Sequence, residues 1–319
     1  MSWRCITDFV KHRDWPLHVA DRLGRGRGRL RVLDHMHLPP PAPRVPDLSD
    51  FEAHELSAAW IGHATVLLRV GGMTILTDPV FSNRVGIGLG IITGGPRRLV
   101  RAAVTMRELP KIDIVLLSHA HFDHLDRPSL ARLSKRIHIV TAHGLRDLVV
   151  DLGFHRVTEL AWGESTRIGG ATITAQPVKH WGARTFLDKH RGYAAFLIAS
   201  DRHRVLFGAD SAYHQEWKPL APVDLAILGI GAYNPYIAAH ATPEQALAMA
   251  DHVRAKHILP MHHATFRLSH EPTHEPIERL LAAVGQDQSR VVIRSIGEHW
   301  RQANERDARR SDDHRMGLP

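Results

Sequence analysis

Cysteine, lysine and long apolar runs are all scarce in this sequence. A single cysteine, Cys5, stands among 319 residues. That excludes an internal disulfide and any cysteine-built zinc site. No apolar stretch is long enough for a helical membrane span, which needs about eighteen residues or more. The first residues include Arg4, Asp8, Lys11, His12 and Arg13 without an apolar segment, so no secretory signal and a cytoplasmic location are expected. A Gly-x-Ser-x-Gly elbow and a Walker loop are also missing, so neither competes for the chemistry. Lysine occurs only seven times, so 34 of the 41 basic residues are arginine against 33 acidic residues, a net charge of +8. Arginine grips phosphate and carboxylate bidentately, and such a surface suits an anionic small molecule or an anionic lipid face. The apolar fraction of 44% is enough for a full core, and the length fits one large α/β domain or two small ones.

Histidine is abundant, at 25 residues, and its placement is uneven. Ser118-His119-Ala120-His121-Phe122-Asp123-His124-Leu125-Asp126 follows directly on Ile112-Asp113-Ile114-Val115-Leu116-Leu117. The second run has the length and composition of a buried strand. It delivers three imidazoles and a carboxylate to the loop at its C-terminal end, where open α/β sheets bind ligands. His119 and His121 are two apart and point the same way in extended backbone. Nitrogen and oxygen donors without thiolate suit zinc first, with manganese or iron as alternatives.

Along the chain, residues 1–50 read as an N-terminal extension. It contains a basic glycine-rich run, Gly24 to Arg31, and the extended spacer Pro39-Pro40-Pro41. Residues 51–300 read as one folded domain and 301–319 as a mobile charged tail. Thr65–Val70 and Met73–Thr77 flank Gly71-Gly72, which predicts a hairpin. Asp78 sits at the exit of its second strand. Residues 79–110 read as a long connection with an apolar, flexible 85–95 stretch followed by Arg97, Arg98 and Arg101. Helices are expected over about 126–135, 145–152 and 275–283. Another starts at Thr242, where Thr242-Pro243-Glu244-Gln245 spells a capping box. Further strands are expected over 137–140, 156–160, 171–175, 193–199, 204–207, 223–230, 257–260 and 290–293.

Four of these strands end in a metal-type ligand. The exits after Leu117, Val178, Gly208 and Pro260 yield His119, His121, Asp123, His124, His180, Asp210 and His262. Seven donors exceed what one tetrahedral ion needs. Two ions sharing Asp210 fit the count, and such a pair would bind a hydroxide near neutral pH that attacks a carbonyl or phosphoryl centre.

The loop resembles the His-x-His-x-Asp-His signature of the metallo-β-lactamase superfamily. The order of the later ligands is similar too. Within the superfamily the chain looks most like the N-acyl-phosphatidylethanolamine-hydrolysing phospholipase D group, with the ascorbate-6-phosphate lactonase group as a neighbour. The supporting pieces are Trp60-Ile61-Gly62-His63-Ala64-Thr65, Thr77-Asp78-Pro79, Gly95-Pro96-Arg97-Arg98, Pro177-Val178-Lys179-His180-Trp181, Gly208-Ala209-Asp210, His240-Ala241-Thr242-Pro243 and His262-His263-Ala264-Thr265-Phe266.

The resemblance implies a four-layer αββα sandwich and two divalent metal ions, bridged by a hydroxide. It implies that His119, His121 and His180 hold one ion, that Asp123, His124 and His262 hold the other, and that Asp210 bridges. Asp123 and His240 are the expected catalytic groups. Asp78 and His63 are expected behind the ligands, and Arg97, Arg98 and Trp181 against the substrate. The family pattern has Trp-Gly after the last ligand, where this chain has His263-Ala264, so His263 competes with His262 for that role. The implied activity is phosphodiester hydrolysis of an N-acylated phosphatidylethanolamine at a peripheral membrane contact. A lactonase or small-phosphoester hydrolase is the alternative. No nucleic acid partner is expected, because no inserted domain separates the ligand segments, and the oligomeric state stays open.

Overall fold

The computed structural model describes residues 38–303 except 90, 91 and 186. The basic run from Gly24 to Arg31 and nearly all of the 301–319 tail lie outside them. The chain enters through α1 (Leu48–Glu52), capped by the Asp47 carboxylate, which accepts hydrogen bonds from the backbone of Ser49 and Asp50. Phe51 of this helix is fully buried, so α1 straddles the expected boundary near residue 50 and packs on the core.

An antiparallel meander follows: β1 (Ser57–Gly62), β2 (Thr65–Val70) and β3 (Met73–Thr77). Gly71 and Gly72 make the β2–β3 turn with φ of 60° and 73°, which a side chain would resist. The 85–95 stretch, expected to be an irregular loop, instead forms a short ribbon of β4 (Ile87–Leu89) and β5 (Ile92–Gly94). The parallel part comes next: β6 (Ile114–Leu117), α2 (Arg127–Arg132), β7 (His138–Ala142), α3 (Asp147–Val150) and β8 (Val157–Leu160). With the last strand of the chain, β15 (His299–Arg301), the first sheet has the order β15-β1-β2-β3-β6-β7-β8.

The second sheet has the order β14-β13-β12-β11-β10-β9. It is built from β9 (Ser165–Ile168), β10 (Ala171–Gln176), β11 (Ala195–Ala199), β12 (Arg204–Phe207), β13 (Leu225–Gly229) and β14 (His257–Met261). Helices α4 (Pro243–His252) and α5 (Glu275–Val284) accompany it, and β15 (His299–Arg301) returns to the first sheet.

Alternation along β11 to β14 shows why these four strands are mostly apolar. Phe196, Ile198, Val205, Phe207, Leu225, Ile227, Leu259 and Met261 join the core shared with the first sheet. The intervening Ala195, Leu197, Leu206, Ala226, Leu228 and Ile258 pack with Ala246, Met249 and Ala250 of α4 and Leu280 of α5. Successive side chains face opposite ways, and both faces are covered. Leu130 of α2 and Val149 of α3 close the outer side of the first sheet. The result is the expected helix–sheet–sheet–helix sandwich.

Several expectations need correction. No strand spans 290–293: a 3-10 turn at Gln288–Arg290 leads to one bridge between Val291 and Ile258. The strands β9 and β15 were not expected. Both lie at sheet edges without one fully buried residue, so neither has an apolar pattern to detect. The α2 and α3 helices are shorter than expected, at six and four residues.

Candidate metal centre

Neighbouring strand ends converge at one edge of the sandwich. β3 and β6 are parallel neighbours, which sets Asp78 beside the 118–126 loop. On the facing sheet β12, β13 and β14 are parallel and deliver Asp210 and His262 from two of their ends. The backbone is forced there. His63, Asp78, Ala209, His262 and Ala264 adopt φ of 55°, 31°, 49°, 62° and 55°, a left-handed region that non-glycine residues enter only when their surroundings hold them. For His63 that hold is visible. Its N–H donates to Thr265 Oγ1 at 2.7 Å, while its carbonyl accepts from Trp60 Nε1 at 2.8 Å and from the His262 N–H at 3.3 Å.

All seven expected ligands come together, in two groups. In one, His121 Nδ1 lies 2.8 Å from His119 Nε2 and 3.3 Å from His180 Nε2. In the other, His124 Nε2 lies 3.2 Å from His262 Nε2, and Asp123 Oδ2 lies 3.7 Å and 3.5 Å from those two nitrogens. Asp210 Oδ2 stands between the groups, 3.1 Å from His124 Nε2, 3.1 Å from His262 Nε2, 3.8 Å from His180 Nε2 and 3.9 Å from His119 Nε2.

These donors suit divalent ions. A tetrahedral ion with zinc–nitrogen bonds of about 2.0–2.1 Å keeps two ligand nitrogens about 3.3 Å apart. The outward nitrogens of two rings are already committed: His124 Nδ1 donates to Asp78 Oδ2 at 2.7 Å, and His180 Nδ1 donates to the Ala239 carbonyl at 3.1 Å. Their Nε2 atoms therefore face inward. Asp210 Oδ1 is buried without any hydrogen-bond partner, a cost that a cation would remove.

Electrostatics separate the two groups. Burial holds His119 and His180 well below the ordinary imidazole range, helped by neighbouring rings, and pushes His121 down to about 4. These three are neutral. Burial opposes charge on His124 and His262 as well, but Asp210 and Asp123 outweigh it, raising His124 well above its usual range and His262 to about 9. Burial likewise opposes ionisation of Asp123 and Asp210, yet the surrounding imidazoles hold both carboxyls well below theirs.

The flanking residues fall into place unevenly. Asp78 lies behind His124, and its carboxyl is raised chiefly by burial, against the pull of His124. His63 Nε2 lies 3.0 Å from Asp123 Oδ2, and burial pushes its ring down to about 3. His240 Nδ1 lies 3.9 Å from Asp210 Oδ2, and burial lowers that ring to about 4. The Trp181 ring packs 4.7 Å from His121 and 4.4 Å from His180. Of the two adjacent histidines, His262 faces the cluster, whereas the His263 ring turns to Trp60 at 4.7 Å with both its nitrogens buried and unpartnered.

Arg98 departs from expectation. It is buried, its guanidinium donates to the carbonyls of Val80 and Ser82, and it stacks 5.0 Å from the Phe266 ring. It braces the 79–98 segment from inside instead of facing a substrate. Arg97 is half-buried and bridges Arg84 at the base of the β4–β5 ribbon. Arg184, not singled out from sequence, clamps the ligand loop: Nη1 donates to the Ala120 and Leu125 carbonyls at 2.7 and 2.8 Å, with the guanidinium 4.0 Å above Phe122. Nothing in its local sequence distinguishes it from the other arginines.

Residues 73–263 match the family described as the Beta-lactamase superfamily domain. The chain belongs to the metallo-β-lactamase superfamily. Among members of known sequence, an uncharacterized protein of Mycobacterium tuberculosis is 32% identical over 262 residues, covering 78% of this chain and 69% of that one. The N-acyl-phosphatidylethanolamine-hydrolyzing phospholipase D 1 of Caenorhabditis elegans is 31% identical over 279 residues, covering 79% and 77%. The isothiocyanate hydrolase from Delia radicum gut bacteria superposes with a TM-score of 0.63 at 19% identity, over 78% of this chain and all of that one. That last likeness speaks to the fold alone. As a superfamily member with this donor set, the chain is a metal-dependent hydrolase. Among the described residues no helix is long and apolar enough to cross a membrane.

Proposed function

We propose that the chain is a dinuclear phosphodiesterase that cleaves N-acylated phosphatidylethanolamine to phosphatidate and an N-acyl amine, working in the cytoplasm at a membrane surface. The observation that carries the reading is the 31% identity with a nematode phospholipase D of that specificity, extending over 79% of this chain. In this reading His119, His121 and His180 would hold one ion and Asp123, His124 and His262 the other, with Asp210 available to both and zinc as the expected metal. Two such ions supply Lewis acidity toward a phosphoryl oxygen and lower the pKa of water.

The chain's own groups then have defined work. Asp123, kept anionic and held by His63 at Oδ2, orients the attacking water and accepts its proton at Oδ1. His240, neutral and poorly exposed, donates one N–H to the phosphodiester oxygen. Trp181 forms an apolar wall beside His121 and His180, and Arg97 faces the anionic headgroup. Ile87 on the β4–β5 ribbon, Leu187 and Ile237 are large aliphatics left 56%, 94% and 53% exposed, which supports contact with a lipid surface.

The test is phosphatidate release from N-acyl-phosphatidylethanolamine in mixed micelles by zinc-loaded protein, with His121→Ala as the blank. Release that vanishes in the variant is expected. No release from protein that holds its metal would overturn the lipid reading and direct attention to lactones and small soluble phosphoesters.

A further inference from the structure

We infer that Ser118 is a positioning residue: its hydroxyl relays Asp78 to His119, so that one carboxylate orients a ligand in each half of the centre. The inference rests on reading the histidine cluster as a metal centre. It starts from the sheet. Because β3 and β6 run parallel with Thr77 opposite Leu116, the residues leaving the two strands, Asp78 and Ser118, meet at the same edge. Both are fully buried. The backbone of Asp78 is held at both ends, its N–H donating to the Leu116 carbonyl at 2.9 Å and its own carbonyl accepting from Thr65 Oγ1 at 2.8 Å.

Three contacts then define the relay. The Ser118 N–H donates to Asp78 Oδ1 at 2.8 Å. Ser118 Oγ lies 2.5 Å from Asp78 Oδ2 and 2.9 Å from His119 Nδ1. Asp78 Oδ2 also takes the Nδ1–H of His124 at 2.7 Å. Asp78 takes an N–H on each oxygen, from Ser118 on Oδ1 and from His124 on Oδ2, the pattern of an ionised carboxylate, which only accepts, and a serine hydroxyl has one proton. That proton goes to Asp78, so Ser118 Oγ meets His119 with a lone pair. Only an Nδ1–H on His119 satisfies that contact, which leaves the His119 lone pair on Nε2, the atom 2.8 Å from His121 Nδ1. His124 reaches the same state through Asp78 directly.

The two rings are thus set by one acid along routes of different length, and the routes can be cut separately. Asp78 serves both halves of the centre. Ser118 serves only the half made by His119, His121 and His180. Outer partners of metal-bound histidines typically contribute ten- to hundredfold in affinity.

The experiment compares wild type with Ser118→Ala and Ser118→Thr, using zinc with competing chelators. His180→Ala and His262→Ala, each lacking one half, assign the two affinities. Ser118→Ala is expected to lose about ten- to hundredfold at the His119 half and to keep the Asp123–His124–His262 half, and Ser118→Thr is expected to recover most of the loss. In parallel, imidazole ¹⁵N spectra of metal-free protein report the tautomer of His119, its signals identified by their absence in His119→Gln. Wild type should show Nδ1–H, and Ser118→Ala should shift toward Nε2–H. Equal weakening of both halves, unchanged affinity at both, or an Nε2–H tautomer in wild type would each overturn the relay. If wild type takes up no zinc at all, the metal-centre reading fails, and the metal-free spectra still decide whether Ser118 sets the tautomer.

Discussion

Asp210 shows how much depends on single atoms here. Its Oδ2 is within 4 Å of four imidazole nitrogens from both halves of the cluster, and its Oδ1 is buried and unpartnered. An amide at this position would place an N–H group, or a neutral oxygen, where the proposed centre would bring two cations together. Asp210→Asn is therefore expected to reduce bound zinc from two ions per chain to at most one. Hydrolysis should fall at least about a hundredfold, since even outer partners cost about ten- to hundredfold. Elemental analysis alongside turnover of a chromogenic phosphodiester checks both, and two retained zinc ions with full turnover would remove Asp210 from the bridging position. Arg98 gives the opposite lesson. The sequence offers it as one of three arginines after an apolar stretch, equivalent to Arg97, yet only Arg98 is folded inward onto Val80, Ser82 and Phe266.

Among the elements, the β4–β5 ribbon carries a described apolar side chain, Ile87, that the core does not absorb. Ile87 stays more than half exposed at 56%, whereas Val85 at its base is buried with Val80 and Phe266. Inserting one such side chain into lipid is worth about 1.5–3 kcal/mol at most, or roughly a tenfold or greater change in partitioning. Ile87→Glu is expected to weaken binding to anionic vesicles about tenfold and to leave hydrolysis of a water-soluble phosphodiester unchanged. Vesicle sedimentation and a soluble-substrate assay separate the two effects, and equal vesicle binding by both proteins would exclude the ribbon as a lipid contact. The α4 terminus is the element read most fully in advance. Thr242 Oγ1 accepts from the Gln245 N–H at 3.3 Å and Gln245 Oε1 accepts from the Thr242 N–H at 3.1 Å, because a capping box is specified by four consecutive residues and needs no distant partner.

For the molecule as a whole, protonation and metal uptake are linked. Without metal, His124 and His262 hold their protons through neutral pH, since Asp210 and Asp123 raise one well above the imidazole range and the other to about 9. An ion can bind only the deprotonated rings. Zinc uptake at pH 7 should therefore release one to two protons, and affinity should strengthen as pH rises toward 9 and weaken as it falls. His119, His121 and His180 are already neutral at pH 7, so their half should fill with little proton release. Calorimetric titration in two buffers of different ionisation enthalpy measures the protons directly. Zinc binding without proton release between pH 6 and 8 would contradict this account.

The sequence by itself determined the strands with two buried faces, the capping box, and all seven convergent side chains. Each of these is written in short runs: apolar stretches of strand length, a local turn pattern, and ligands placed at strand exits. Its limits lie where the deciding contact comes from far along the chain. The edge strands β9 and β15 carry no apolar signal because neither contains a fully buried residue. His262 and His263 are adjacent and chemically identical, and only the left-handed backbone at His262, with Trp60 waiting for the other ring, sends one into the cluster and the other away. Ser118 gains its place from Asp78, forty residues earlier, through the parallel pairing of β3 with β6. Tertiary structure alone decided these points, because ring direction, tautomer and the burial of one arginine over its neighbour depend on partners that the local sequence does not contain.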